Sequence, residues 1–269
     1  MAKKINFLYG KNSVLERLKA FPESVRRIYL QTNFNDSNIT KFIKSLNIPV
    51  RSVSEKELLR IKNADRLQGI VAEVDRYSYT PFNKLLKSAD DGKLSLIFLD
   101  SLNDPHNFGS IIRITACFGD FALVIPERGA CEVNDTVMHV ASGGENYIPI
   151  SRVTNLSTAL RDAKEAGYWT AGAVVEGGEN INKFSLPFPL CIVLGSEGKG
   201  IRYGIQKHLD LKVTLPMKGA PLSLNVAMSC AVLANEITRQ RNTSIGVKGS
   251  SLPARSPRGE ATGLGEAGR

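Results

Sequence analysis

Apolar positions in the first 75 residues change period repeatedly. Helical spacing over residues 13–19, 37–45 and 54–61 alternates with two-residue alternation over 26–31, 49–53 and 69–74, a pattern that predicts a small α/β unit. The pattern breaks at about residue 75, where a stretch with Pro81, Ser88, Asp90, Asp91 and Gly92 reads as a linker, with a short helical turn possible over 82–86. A second series opens on the largely apolar run 94–99, Leu-Ser-Leu-Ile-Phe-Leu, the length of a strand buried on both faces. Further strands are predicted at 121–125, 169–175, 190–194 and 211–215, and helices at 109–118, 135–141, 156–166, 201–208 and 224–240. Strands alternating with helices predict a parallel sheet covered on both faces. After Arg241, Gly, Ser, Pro and Ala replace periodic apolar residues, which predicts a disordered tail. The expected units are 1–76, a linker 77–93, a second domain 94–242 and a tail 243–269.

Composition narrows the class. With 42% apolar and 23% charged residues in 269 positions, the chain is ordinary globular material, not collagen-like, coiled-coil or wholly disordered. No apolar run reaches the roughly 20 residues that span a bilayer, and the opening MAKKINFLYG lacks a signal-peptide core. The expectation is a cytoplasmic protein with no membrane association. Cys117, Cys131, Cys191 and Cys230 are too widely spaced for a zinc ribbon, and His106, His139 and His208 share no ligand spacing. Reduced thiols and no metal are expected.

The net charge of +9 is concentrated at one end. Residues 1–76 carry 15 Lys/Arg against 8 Asp/Glu, whereas residues 77–243 balance at 16 of each. A basic segment of this kind suits a polyanion, because lysine and arginine gain affinity by displacing counterions from phosphates.

Common nucleotide fingerprints are absent: the first strand of the second series runs into residues 100–105 without a GxGxxG turn, and residues 195–200 lack P-loop spacing. Three other blocks carry candidate chemistry. In residues 104–113, Asn107 occupies a helix N-cap position. Arg113 shares a helical stripe with Gly109, Ala116 and Cys117, placed either to grip a phosphate or carboxylate or to form a structural ion pair. Leu194, Gly195, Ser196, Glu197 and Gly198 form a glycine-rich loop leaving a buried strand. Leu215, Pro216 and Met217, followed by Ser223, Leu224 and Asn225, make a stiff segment where open α/β sheets place ligands, with Ser223 read as an N-cap and Asn225 as an early helical residue.

In this order the three blocks resemble the motifs of the SpoU/TrmH (SPOUT) RNA ribose 2′-O-methyltransferases. Residues 8–14 and 67–70 resemble the RNA-binding domain of its RlmB-type members, although Lys11, Asn12 and Leu67 stand where many relatives have histidine. The resemblance implies an α/β fold with a deep C-terminal trefoil knot, preceded by a small L30e/L7Ae-like RNA-binding domain. It also implies a homodimer that binds S-adenosylmethionine. The reaction implied is methylation of a ribose 2′-hydroxyl in structured RNA, a guanosine of 23S ribosomal RNA foremost, with transfer RNA or a non-catalytic assembly role as alternatives. By matching positions, cofactor contact falls to Leu194, Gly195, Leu215, Met217 and Leu224. Catalysis falls to Arg113 with Asn107, Glu197, Ser223 and Asn225. Removing residues 1–76 is expected to weaken RNA binding and flatten its salt dependence while cofactor affinity is kept, which filter binding at several salt concentrations checks.

Overall fold

The computed structural model describes residues 5–89, 92–196, 198–220 and 222–246, the side chains of 244–246 excepted. The alternating segments of the first 75 residues form β1 (Ile5–Tyr9), β2 (Val25–Gln31), β3 (Val50–Val53) and β4 (Ile70–Asp75), joined by α1 (Lys11–Ala20), α2 (Ser37–Ser45) and α3 (Glu55–Ile61). They make a mixed sheet in the order β1-β4-β2-β3, with only β2 and β3 parallel. Helix starts follow side-chain caps: Asp36 accepts from Ile39 N, and Ser54 with Glu57 forms a reciprocal capping box. The sequence pattern does not anticipate β1, whose residues pass from exposed to buried along the strand instead of alternating.

After α4 (Phe82–Leu86) the second sheet begins with β5 (Ser95–Asp100), buried at every position. Then come α5 (Pro105–Phe118), β6 (Phe121–Pro126), α6 (Asp135–Ala141), β7 (Ile150–Val153), α7 (Leu156–Glu165), β8 (Trp169–Ala173) and β9 (Glu179–Asn180). The chain ends through β10 (Leu190–Gly195), α8 (Tyr203–Gln206), β11 (Leu211–Thr214) and α9 (Val226–Gly246). All seven strands are parallel, in the order β7-β6-β5-β10-β8-β11-β9. Side-chain alternation divides the core: Ile97, Leu99, Leu123, Ile192 and Leu194 join one apolar cluster, and Leu96, Phe98, Val124, Cys191 and Val193 join the other. α5, α6 and α9 pack on the first face, α7 and α8 on the second. The two strands absent from the sequence expectation, β7 and β9, have four and two residues.

Several boundaries differ from expectation for identifiable reasons. α5 starts at Pro105, not residue 109, because Asp104 accepts from the backbone N–H groups of His106 and Asn107; Asp104 is therefore the cap, and Asn107 lies inside the helix. α9 starts at Val226, where Asn225 Oδ1 accepts from Ala227 N at 2.7 Å, so Asn225 takes the capping role expected of Ser223. α9 also continues to Gly246, past the expected helix end at 240 and into the expected tail. Arg241, 1% exposed, donates to Asp120 O at 2.9 Å and covers the Phe121 ring, anchoring this last stretch to the sheet. The rest of the expected tail, 247–269, lies outside the described residues, as do Asp90 and Asp91 of the linker.

The two sheets meet along α1 and α6. Phe7 N donates to Asp135 Oδ1 at 3.1 Å, Lys62 Nζ pairs with Asp135 Oδ2 at 2.6 Å, and Tyr9 stacks on His139 with centroids 4.1 Å apart. Deeper in, Arg17 and Glu145 form a buried ion pair at 3.3 Å. Burial pushes the Glu145 carboxyl up, and Arg17 pulls it back toward the charged form. At Gly143, with φ of 91°, an added Cβ would come within 2.4 Å of Glu16 Cβ, so glycine is what lets α1 approach. Glu145→Ala strands the Arg17 guanidinium in the interface and is expected to cost about 3 kcal/mol of stability by urea denaturation. Arg17→Met with Glu145→Leu should recover most of that loss.

Candidate active site

Parallel sheets place ligands outside the carboxyl ends of their strands, and here three strand ends frame a cleft of about 300 Å³. Ala173 ends β8 and Val174 and Val175 follow it, Leu194 and Gly195 end β10 and Ser196 follows, and Val213 and Leu215 flank the last residue of β11. The first turns of α9 close the cleft with Val226, Ser229 and Leu233.

The β10 wall is shaped by a turn that doubles back. Gly200, with φ of 62°, donates from its N–H to Ser196 O at 2.8 Å. A Cβ at Gly195 would fall 2.1 Å from Gly200 C, so no side chain fits there. The far end of the turn is held by Asp100, the fully buried last residue of β5 and register partner of Gly195. Asp100 accepts from Arg202 N at 2.8 Å and from Arg202 Nε at 2.7 Å. Sequence reasoning missed this pair. The available signal was a carboxylate closing an otherwise apolar strand, which reads equally well as the start of a turn.

The structure gathers part of the candidate set. Leu194, Gly195, Leu215, Met217, Ser223 and Leu224 all line the cleft. Asn107 and Asn225 meet beside it: Asn225 Nδ2 donates to Asn107 Oδ1 at 2.9 Å, joining the first turn of α5 to the cap of α9. Glu197 lies outside the described residues. Arg113 is not on the cleft. It is exposed on α5, about 9 Å along the axis from Asn107, with Ser142 Oγ 3.5 Å from its guanidinium. It opens onto a second cleft of about 530 Å³ shared with Asn12, Glu16, Cys117 and Tyr147. Gly109 of its stripe serves packing, since a Cβ there would meet Val137 O at 2.8 Å, and the chain after α6 packs as closely, a Cβ on Gly144 meeting Arg113 Cα at 3.1 Å.

The first cleft suits a ligand held mainly by main chain. Among its described lining residues none is charged; hydroxyls at Ser196, Ser223 and Ser229 interrupt apolar walls. Such walls accept a flat heterocycle and do not repel a sulfonium cation.

Residues 95–235 match the model of the SpoU rRNA Methylase family, and residues 7–80 match that described as RNA 2′-O ribose methyltransferase substrate binding. A relative from Bacillus subtilis, the putative TrmH family tRNA/rRNA methyltransferase YacO, is 33% identical over 90% of this chain and 98% of its own. The 23S rRNA (guanosine-2′-O-)-methyltransferase RlmB of Nitrosomonas europaea is 32% identical over 92% and 96%. Among solved structures, the SpoU methyltransferase AviRb of Streptomyces viridochromogenes, in complex with AdoMet, superposes with a TM-score of 0.73 at 19% identity, over 89% of this chain and 91% of that one. The chain belongs to the SpoU rRNA methylase family, as its three motifs implied, and is an S-adenosylmethionine-dependent RNA methyltransferase. Among the described residues no cluster of metal-ligating side chains occurs, and no helix is long and apolar enough to cross a membrane.

Gly195→Ala drives a methyl into the backbone of Gly200 and Ile201 and must open the turn. Calorimetry with S-adenosylmethionine should show affinity falling by about a hundred-fold or more, with secondary structure by circular dichroism unchanged.

Proposed function

We propose that the chain methylates the ribose 2′-hydroxyl of a guanosine in 23S ribosomal RNA. The observation that carries this reading is the gathering of the second and third motifs on one cleft, uncharged among its described lining residues, at the carboxyl edge of the parallel sheet. The RlmB relatives, similar along almost the whole chain, support 23S guanosine as the target. The tRNA/rRNA naming of the B. subtilis relative keeps transfer RNA as the second reading. A cytoplasmic setting goes with either substrate.

Bound in the cleft, S-adenosylmethionine supplies an electrophilic methyl on a cationic sulfur. The chain's own groups position the nucleotide. Arg113 clamps a phosphate next to the target ribose, and its contribution is fork-shaped grip and charge. The hydrogen-bonded pair Asn107 and Asn225 sets α5 against α9 and thereby fixes the path from phosphate to ribose. Ser223 and Glu197 are assigned to orienting the ribose by hydrogen bonds. The apolar walls exclude water, favouring a step that neutralises opposite charges.

Residues 1–76 act in this reading as the RNA-capturing domain, 77–93 as linker and 94–242 as the methyltransferase domain. The three helices over a mixed sheet support an L30e/L7Ae-like origin for the first. A trefoil knot in the second is supported by β10 entering between β5 and β8 after both are laid down, and by α9 packing back onto α5. A homodimer is supported by the apolar face that α9 leaves exposed, with Met228 at 61% and Val232 at 46%.

Mapping 2′-O-methyl groups in 23S rRNA from a deletion strain should show one guanosine unmodified, restored by the wild-type gene; an unchanged map would sink the reading. Arg113→Ala should lower kcat by about a hundred-fold with S-adenosylmethionine affinity retained, and Arg113→Lys should not restore it. Equal loss of rate and cofactor affinity would remove Arg113 from the role.

A further inference from the structure

The cleft on which Arg113 opens has walls from both halves of the chain. α1 supplies Asn12 and Glu16; α5 supplies Arg113 and Cys117; Ser142, Gly144 and Tyr147 come from the segment after α6. At about 530 Å³ it is large enough for a nucleotide. Its chemistry is uneven: a guanidinium, a carboxylate and an aromatic ring that is 56% exposed. Tyr147 Oη donates to Glu16 Oε2, and Lys19 Nζ donates to Glu16 Oε1 at 2.8 Å. Burial pushes the Glu16 carboxyl up, but those two donors outweigh it and hold the group below the usual carboxylate range.

Glu16 and Arg113 are the two charged side chains among the described residues lining this cleft, so it presents a carboxylate for donors beside a guanidinium for a phosphate. Among the four RNA bases only guanine presents two adjacent donors, N1–H and the 2-amino group, on its Watson–Crick edge, spaced to match the two oxygens of a carboxylate. Adenine, cytosine and uracil each set an acceptor beside their donor and would face repulsion. Each Glu16 oxygen has capacity for a second hydrogen bond beyond the one it already accepts. An exposed tyrosine beside it offers a stacking surface, and Arg113 offers a phosphate grip.

We propose that this cleft is a guanine-reading subsite for the substrate RNA, with Glu16 accepting the Watson–Crick edge, Tyr147 stacking on the base and Arg113 holding the adjacent phosphate. The proposal rests on the reading of the chain as a guanosine-modifying enzyme, and gives that specificity a residue contributed by the domain that does not bind the cofactor.

Single nucleotides test it independently of methylation. Ligand-observed NMR on the intact chain should rank guanosine 5′-monophosphate about ten-fold tighter than the inosine, adenosine and cytidine monophosphates, inosine lacking only the 2-amino group. Glu16→Gln keeps an acceptor for Tyr147 Oη, so a merely structural role predicts no change; the subsite predicts that the guanine preference falls to about unity. Tyr147→Phe should retain the preference, and Tyr147→Ala should weaken all four nucleotides together. Equal affinity for the four, no binding of any, or a guanine preference surviving in Glu16→Gln would overturn the subsite. None of these results bears on whether 23S rRNA loses a methyl group in the deletion strain, so the two readings fail separately.

Discussion

The carboxyl edge of the large sheet depends on one desolvated carboxylate. Asp100 ends β5 with no exposed surface, and a bare charge there would be untenable. Its satisfaction by the backbone and guanidinium of Arg202 draws the chain after β10 across the strand ends. That constraint brings Gly200 onto Gly195, where only a glycine tolerates the approach, and the resulting turn becomes a wall of the cleft. The ligand site is thus a by-product of satisfying a buried charge at the one edge of a parallel sheet where backbone is free to leave it.

The fold was legible in the sequence to the extent that periodicity survives without its surroundings. Runs such as 190–194, apolar and buried at every position, announce central parallel strands because both of their faces are covered. The short edge strands β7 and β9 carry no such signature: they are recruited by neighbours already in place, and four or two residues cannot display a period. Helix starts went astray by a few positions where two capping residues compete, Asp104 with Asn107 and Asn225 with Ser223.

The site was legible unevenly. Leu194, Gly195 and Leu215 lie at strand ends that the parallel sheet brings together, so the residues assigned by the family resemblance meet on one cleft. Arg113 belongs to a helix face, and which cleft a helix face overlooks depends on what packs beside it. Here that is α1, which belongs with the four-stranded sheet, fitted against Gly143 and held by the Arg17–Glu145 pair. No local pattern encodes such a juxtaposition. Tyr147 and Glu16, 131 positions apart in the chain, meet for the same reason.

The anchoring of Arg241 has a practical corollary. Its guanidinium reaches Asp120 and covers Phe121, at the amino ends of the strands, so α9 runs from the cleft at the carboxyl ends to the opposite rim of the sheet before the last described turn. A fluorophore or surface tether attached at Asn242, exposed beside Arg241, would sit at that rim and leave the approach of a bulky polyanion to the opposite edge unobstructed.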